Sequence, residues 1–144
     1  MRMNRTLAAV MVGMLASIMQ HGSAVAATAD SLPDSQYEGK HYVKNAESFR
    51  KCVMWRESHG RYRADGQYGS GAYQFVQSTW RVYAARAGYP EWANRRPYLA
   101  PRYVQDEVFW LALNPLPNKR GLEGRHHWDP KHALTIGKSV KACS

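Results

Sequence analysis

The chain has 144 residues, 44% of them hydrophobic and 22% charged, and a formal net charge of +9. That length suits a single small domain, and no internal repeat, linker or second domain is visible. The basic balance favours anionic partners, but there is no basic–aromatic repeat or recognised nucleic-acid motif, so nucleic acid is not expected as a partner.

In chain order, Arg2 and Arg5 make a basic start ahead of an uncharged, mostly apolar and small stretch from Leu7 to Met19. Ala24-Val25-Ala26 and Ala27-Thr28-Ala29 both fit small-x-small cleavage sites, so residues 1–29 read as a secretory signal peptide, with cleavage after Ala26 or Ala29 left open. A membrane anchor needs about 20 apolar residues, and His21 and Gly22 interrupt sooner. The mature chain is expected outside the cell or on the cell wall, without a transmembrane anchor. Losing Arg2 and Arg5 and no acid takes +9 to +7. For an exported chain, the anionic surface at hand is a wall or membrane. Residues 30–44, polar with Pro33 and Gly39, read as a flexible leader to a domain over 45–144.

The first predicted helix starts with Asn45 as N-cap and Glu47 in its first turn, and stops at Gly60. Phe49, Cys52, Val53, Arg56 and Glu57 share one face. Glu57 would then be a partly desolvated carboxylate at the helix end, the setting a general acid needs. The plainer alternative is a surface carboxylate paired with Arg56 or Arg61. Cys52 and Cys143 are the two cysteines, an even count that suggests a disulfide in an exported chain.

The segment from Arg61 to Phe75 is rich in Gly and Tyr, with Asp65-Gly66 as a turn. Tyr62, Tyr68 and Tyr73 are either stacking surfaces for sugar rings or core residues. Gly71 allows a close backbone approach to a ligand or simply a tight bend. Asp65 is either a second carboxylate for a hydrolase or a turn residue bonded to its own backbone.

A second helix is predicted over Val76–Ala87, with Val76, Trp80, Tyr83, Ala84 and Ala87 as a core stripe. A loop follows over Gly88–Pro97, then a third helix from Pro101 to about Leu113, ended by Asn114-Pro115. Asp106 and Glu107 read as solvated or salt-bridged. Pro115 to Arg125 reads as a loop walling a groove. His126, His127 and His132 lack the i, i+4 geometry of a helical zinc site, so a loop packed under Trp128 is expected, with no metal and no cofactor. The tail from Ala133 to Ser144 is expected to be held by Cys143.

Arg56-Glu57-Ser58, Gly60, Tyr62, Gly71-Ala72-Tyr73-Gln74-Phe75 and Thr79-Trp80 together resemble the catalytic core of the transglycosylase-like domains of the lysozyme superfamily. Actinobacterial secreted transglycosylase-like proteins and the resuscitation-promoting factor catalytic domain are such relatives. The resemblance is strong from Phe49 to Trp80 and loose to Cys143. It implies an α+β, mostly helical, compact lysozyme-like fold with a short β-hairpin region. It implies Glu57 as the catalytic acid and base, and Ser58, Tyr62, Gly71, Tyr73, Gln74 and Trp80 as candidate substrate-groove residues. The resuscitation-promoting factor domain also ties its catalytic helix to its C-terminus through a disulfide. That family sets its cysteine immediately before the catalytic Glu, whereas Cys52 lies five residues before Glu57.

The expected activity is cleavage of the MurNAc–GlcNAc bond of peptidoglycan by a monomer, leaving 1,6-anhydro ends. The alternatives are a muramidase using Asp65 and a peptidoglycan-binding protein without turnover. The expected partners are glycan strands and the anionic wall surface.

Overall fold

The structure is a computed structural model and describes residues 28–115, 123–128 and 143. The signal-peptide reading of residues 1–29 lies outside them up to residue 27, as do most of the Pro115–Arg125 loop, His132 and the tail around Cys143. Four α-helices are described: α1 (Glu47–Ser58), α2 (Gln77–Arg86), the short α3 (Pro90–Ala93) and α4 (Arg102–Leu113). Short 3₁₀ turns occupy Ala29–Ser31, Lys44–Ala46, Pro97–Leu99 and Glu123–Trp128. None of these helices is long and apolar enough to cross a membrane.

α4 is the central element, with nine of its 12 residues buried. A helix apolar on nearly all sides must be surrounded. α2 and the Glu123–Trp128 turn pack on it, and α3 packs on α2. Phe49, Val53 and Met54 of α1, Trp80 and Ala84 of α2, and Val104, Val108 and Phe109 of α4 meet in one core. Each of the larger of these side chains taken from water contributes about 1.5–3 kcal/mol.

α1 ends one residue earlier than expected. His59 takes the left-handed conformation at φ 53° and Gly60 follows at φ 81°. The amides of His59 and Gly60 return to Trp55 O and Met54 O at 2.9 and 3.3 Å, which satisfies the helix's last carbonyls. Asn45 is not a cap: it lies inside the preceding 3₁₀ turn, and Ala46 holds the cap position without a side-chain bond. α3 forms where a loop was expected, because Pro90 is preset for a first helical turn.

The expected α+β fold with a short β-hairpin is corrected. The described residues are mostly helical and contain no strand, only isolated bridges from Ser70 to Asp65 and to Phe75. Two tight turns share Ser70: Gly66 N bonds Gly69 O at 3.0 Å, and Ser70 N bonds Phe75 O at 3.1 Å. Gly71 at φ 80° and Gln74 at φ 50° then bend the chain before a second pair can form.

The supposed flexible leader is also corrected, because it is docked as an arm on the domain. Pro33 O accepts from Arg50 Nη2 at 2.6 Å and Gln36 N donates to Asp106 Oδ2 at 2.8 Å. Ser35 Oγ accepts from Trp110 Nε1 at 2.9 Å. The arm supplies polar groups that side chains on α1 and α4 would otherwise lack on burial.

Cys52 and Cys143 form a disulfide across a sequence separation of 91. Closing so long a loop restricts the unfolded chain. Replacing both cysteines by Ser is expected to cost about 2–4 kcal/mol of stability, read as a lower urea midpoint with a steeper slope, because the uncrosslinked unfolded chain exposes more surface.

Candidate active site

Glu57 sits in the last turn of α1 with its side chain 28% exposed, neither buried nor free in solvent. Its Oε1 accepts two hydrogen bonds from Arg56, from Nε at 3.0 Å and Nη2 at 2.7 Å. The same Nη2 donates to the carbonyl of Trp128 at 2.9 Å. Among the described residues Oε2 has no partner. The pairing weighed from sequence is thus present, with Arg56 rather than Arg61. Arg61 instead donates from Nε to Ser58 O at 3.0 Å.

Three segments converge beside this carboxylate. Ser58 Oγ donates to Ala72 O at 2.8 Å and ties the end of α1 to the Gly71–Phe75 bend. The Trp128 indole donates to Tyr73 O at 3.3 Å, and its ring lies 5.6 Å from Phe75 and 4.6 Å from Phe109. The turn carrying Trp128 therefore bridges Arg56 and the bend. Nothing in the local sequence announces this link, because its partners are 72 residues apart.

Several expected groove residues are placed elsewhere. Ser58, Tyr62, Gly71, Tyr73 and Trp80 are buried, with little surface left to offer a glycan. The Trp80 indole donates to Trp92 O at 2.8 Å. Gly71 serves a bend, with Gln105 Oε1 standing only 2.5 Å from where a Cβ would be. That oxygen accepts from Ala72 N at 2.9 Å, and Gln105 Nε2 donates to Ala100 O at 2.9 Å. Gln74 is half-buried and donates to Gly71 O at 3.0 Å, which supports the bend from outside. Of the tyrosines weighed for stacking, Tyr68 alone is well exposed, at 70%.

Asp65 is 53% exposed and paired with Arg96, whose Nη2 also donates to Gly66 O at 2.9 Å. The Asp65 carboxylate is thus engaged by an ion pair on an exposed turn. The His126 and His127 rings lie 4.2 Å apart in a tilted arrangement, and His127 Nε2 lies 3.1 Å from the Tyr83 hydroxyl. Burial, then the neighbouring His126, lowers the His127 pKa below its ordinary value.

Beneath the site lies a buried charged network that the sequence did not disclose. Asp106 Oδ1 accepts from the Tyr62 hydroxyl at 2.7 Å and from the Tyr73 hydroxyl, while Arg50 Nη1 donates to Tyr73 Oη at 2.8 Å. Arg50 is closed off by Glu47, whose Oε1 lies 2.6 Å from Nη2. Arg50 and Asp106 are fully buried. Burial raises the Asp106 carboxyl above its usual value, opposed by hydrogen bonds from Tyr73 and the Gln36 amide.

Burial and then the Asp106 charge push the Tyr62 and Tyr73 hydroxyls above the ordinary value of 10.0. In the unfolded chain both ionise near pH 10, whereas the folded chain keeps both protons. Stability is therefore fully present below pH 10 and falls as pH rises above it, by about 1.4 kcal/mol per unit for each tyrosine. Urea midpoints measured between about pH 9 and 11.5 should drop along this limb, and Tyr62→Phe should flatten it.

No family model, curated protein or solved structure matches this chain.

Proposed function

We propose that the chain is a secreted lytic transglycosylase that cleaves the MurNAc–GlcNAc bond of peptidoglycan, with Glu57 as its general acid and base. The observation that carries this reading is the setting of the Glu57 carboxylate: half-exposed, flanked by the Gly71–Phe75 bend, with Oε1 held by Arg56 and Oε2 unengaged among the described residues. The Arg56-Glu57-Ser58 and Gly71-Ala72-Tyr73-Gln74-Phe75 motifs support it.

In this mechanism Oε2 carries the proton, since Arg56 occupies Oε1. Glu57 protonates the glycosidic oxygen, and the C–O bond breaks through an oxocarbenium-like state. The resulting carboxylate is stabilised by the Arg56 guanidinium already in place. It then takes the proton of the muramyl 6-hydroxyl as that oxygen closes the 1,6-anhydro ring, which returns Glu57 to its acid form. Tyr68 is the exposed ring suited to stack on a sugar. One carboxylate suffices for this sequence of steps. The Arg96 pair that engages Asp65 favours it over the two-carboxylate muramidase.

Mass spectrometry of the soluble muropeptides released from purified peptidoglycan tests the proposal. Anhydro-muramyl ends that depend on Glu57 are expected. Reducing ends would make the enzyme a hydrolase, and wall binding without release would make the chain a binding protein.

A further inference from the structure

A cavity of about 670 Å³ opens beyond the end of α1, lined by residues 60–64, Ala100 and Arg102. Glu57 is not among its lining residues, so it is separate from the candidate active site. Three of the lining residues are arginines: Arg61 and Arg63 on the turn after α1, and Arg102 at the start of α4. No Asp or Glu lines it, and among the described residues none of the three has an ion-pair partner.

The three side chains are held in place without neutralisation. Arg61 Nε bonds Ser58 O at 3.0 Å, Arg63 Nη1 bonds Tyr98 O at 3.4 Å, and the Arg102 guanidinium lies 5.2 Å from the Tyr62 ring centre. Tyr62 is itself fixed by Asp106, so the surface under Arg102 is rigid. Each guanidinium has five N–H donors, and these contacts use one from Arg61 and one from Arg63. Gathering three like charges around one concavity raises the free energy of the empty site, and an anion with several oxygens relieves it. A single carboxylate needs one fork, whereas three forks match successive phosphates. The cavity falls within the usual range for ligand sites, about 300–1,000 Å³.

We propose that this cleft binds a phosphodiester chain, an anionic polymer of the envelope, and so moors the enzyme beside the glycan it cuts. The cleft's chemistry does not depend on the role of Glu57; only the envelope source rests on export.

Isothermal titration of the purified protein with a synthetic glycerol-phosphate oligomer tests this, with inorganic phosphate as the small probe. Arg61→Gln/Arg63→Gln should weaken oligomer binding by about tenfold or more. Lys40→Gln/Lys44→Gln removes the same charge from exposed positions elsewhere and should weaken it by less than about threefold. Arg102→Gln, on a different element, should weaken binding independently and serves if the first variant does not fold. Glu57→Gln should leave oligomer affinity unchanged, which separates this site from the catalytic reading. Equal weakening by the arginine and lysine pairs, or none by either arginine variant, would overturn the proposal. So would binding to phosphatidylglycerol vesicles with none to the oligomer, which would make the surface a membrane contact.

Discussion

Glu57→Gln is expected to lower the rate of muropeptide release by about 10²–10⁴-fold, the usual contribution of a general acid–base group. Glutamine keeps the shape of the side chain and still offers an oxygen to Arg56. What it lacks is a proton it can give to a leaving oxygen and take back from a hydroxyl. Binding to insoluble peptidoglycan should therefore persist while initial rates collapse. Asp65→Asn is the internal control: its carboxylate is engaged by Arg96 on an exposed turn, so turnover should change by less than about twofold, in line with the small worth of an exposed ion pair. Near-wild-type release by the Gln variant would remove Glu57 from the mechanism.

Asp106→Ala is expected to cost about 3–5 kcal/mol of folding stability, the usual penalty for removing one member of a buried ion pair. The loss has several sources. Arg50 is left as a buried cation with only Glu47 to answer it. The Tyr62 and Tyr73 hydroxyls lose their common acceptor, and the Gln36 amide loses its own. On the scale of a small domain this corresponds to a fall in Tm of about 10–25 °C, measurable by circular dichroism. Combining Asp106→Leu with Arg50→Met should cost less than Asp106→Ala alone, because the lone buried charge is the larger part of the penalty. A loss below about 1 kcal/mol for Asp106→Ala would mean that the network is not closed to water as described.

The parts of the fold governed by local periodicity and punctuation were legible in the sequence. The apolar stripe and the Asn114-Pro115 stop located α4, and the spacing of Phe49, Val53 and Glu57 located α1 with its carboxylate in the last turn. The disulfide followed from cysteine count. What could not be read is what long-range packing decides. Arg50 and Asp106 look like ordinary surface charges until α1 and α4 close on them. Tyr62, Tyr68 and Tyr73 are alike in sequence, yet Tyr62 and Tyr73 are spent on Asp106 and only Tyr68 faces water. The absent hairpin has the same lesson in reverse. A Gly-rich, turn-punctuated stretch looks suited to pairing, but the positive φ angles at Gly71 and Gln74 are set by Gln105 and the bend rather than by a partner strand.

The docked arm has a consequence for the order in which the chain completes itself. Its polar anchors on α4 lie 70 and 75 residues further along, at Asp106 and Trp110. A chain that emerges N-terminus first must hold the arm unsatisfied until α4 arrives. Closing so long a loop makes this a late and slow step. The arm is thus made before most of the domain yet is among the last segments to be fastened.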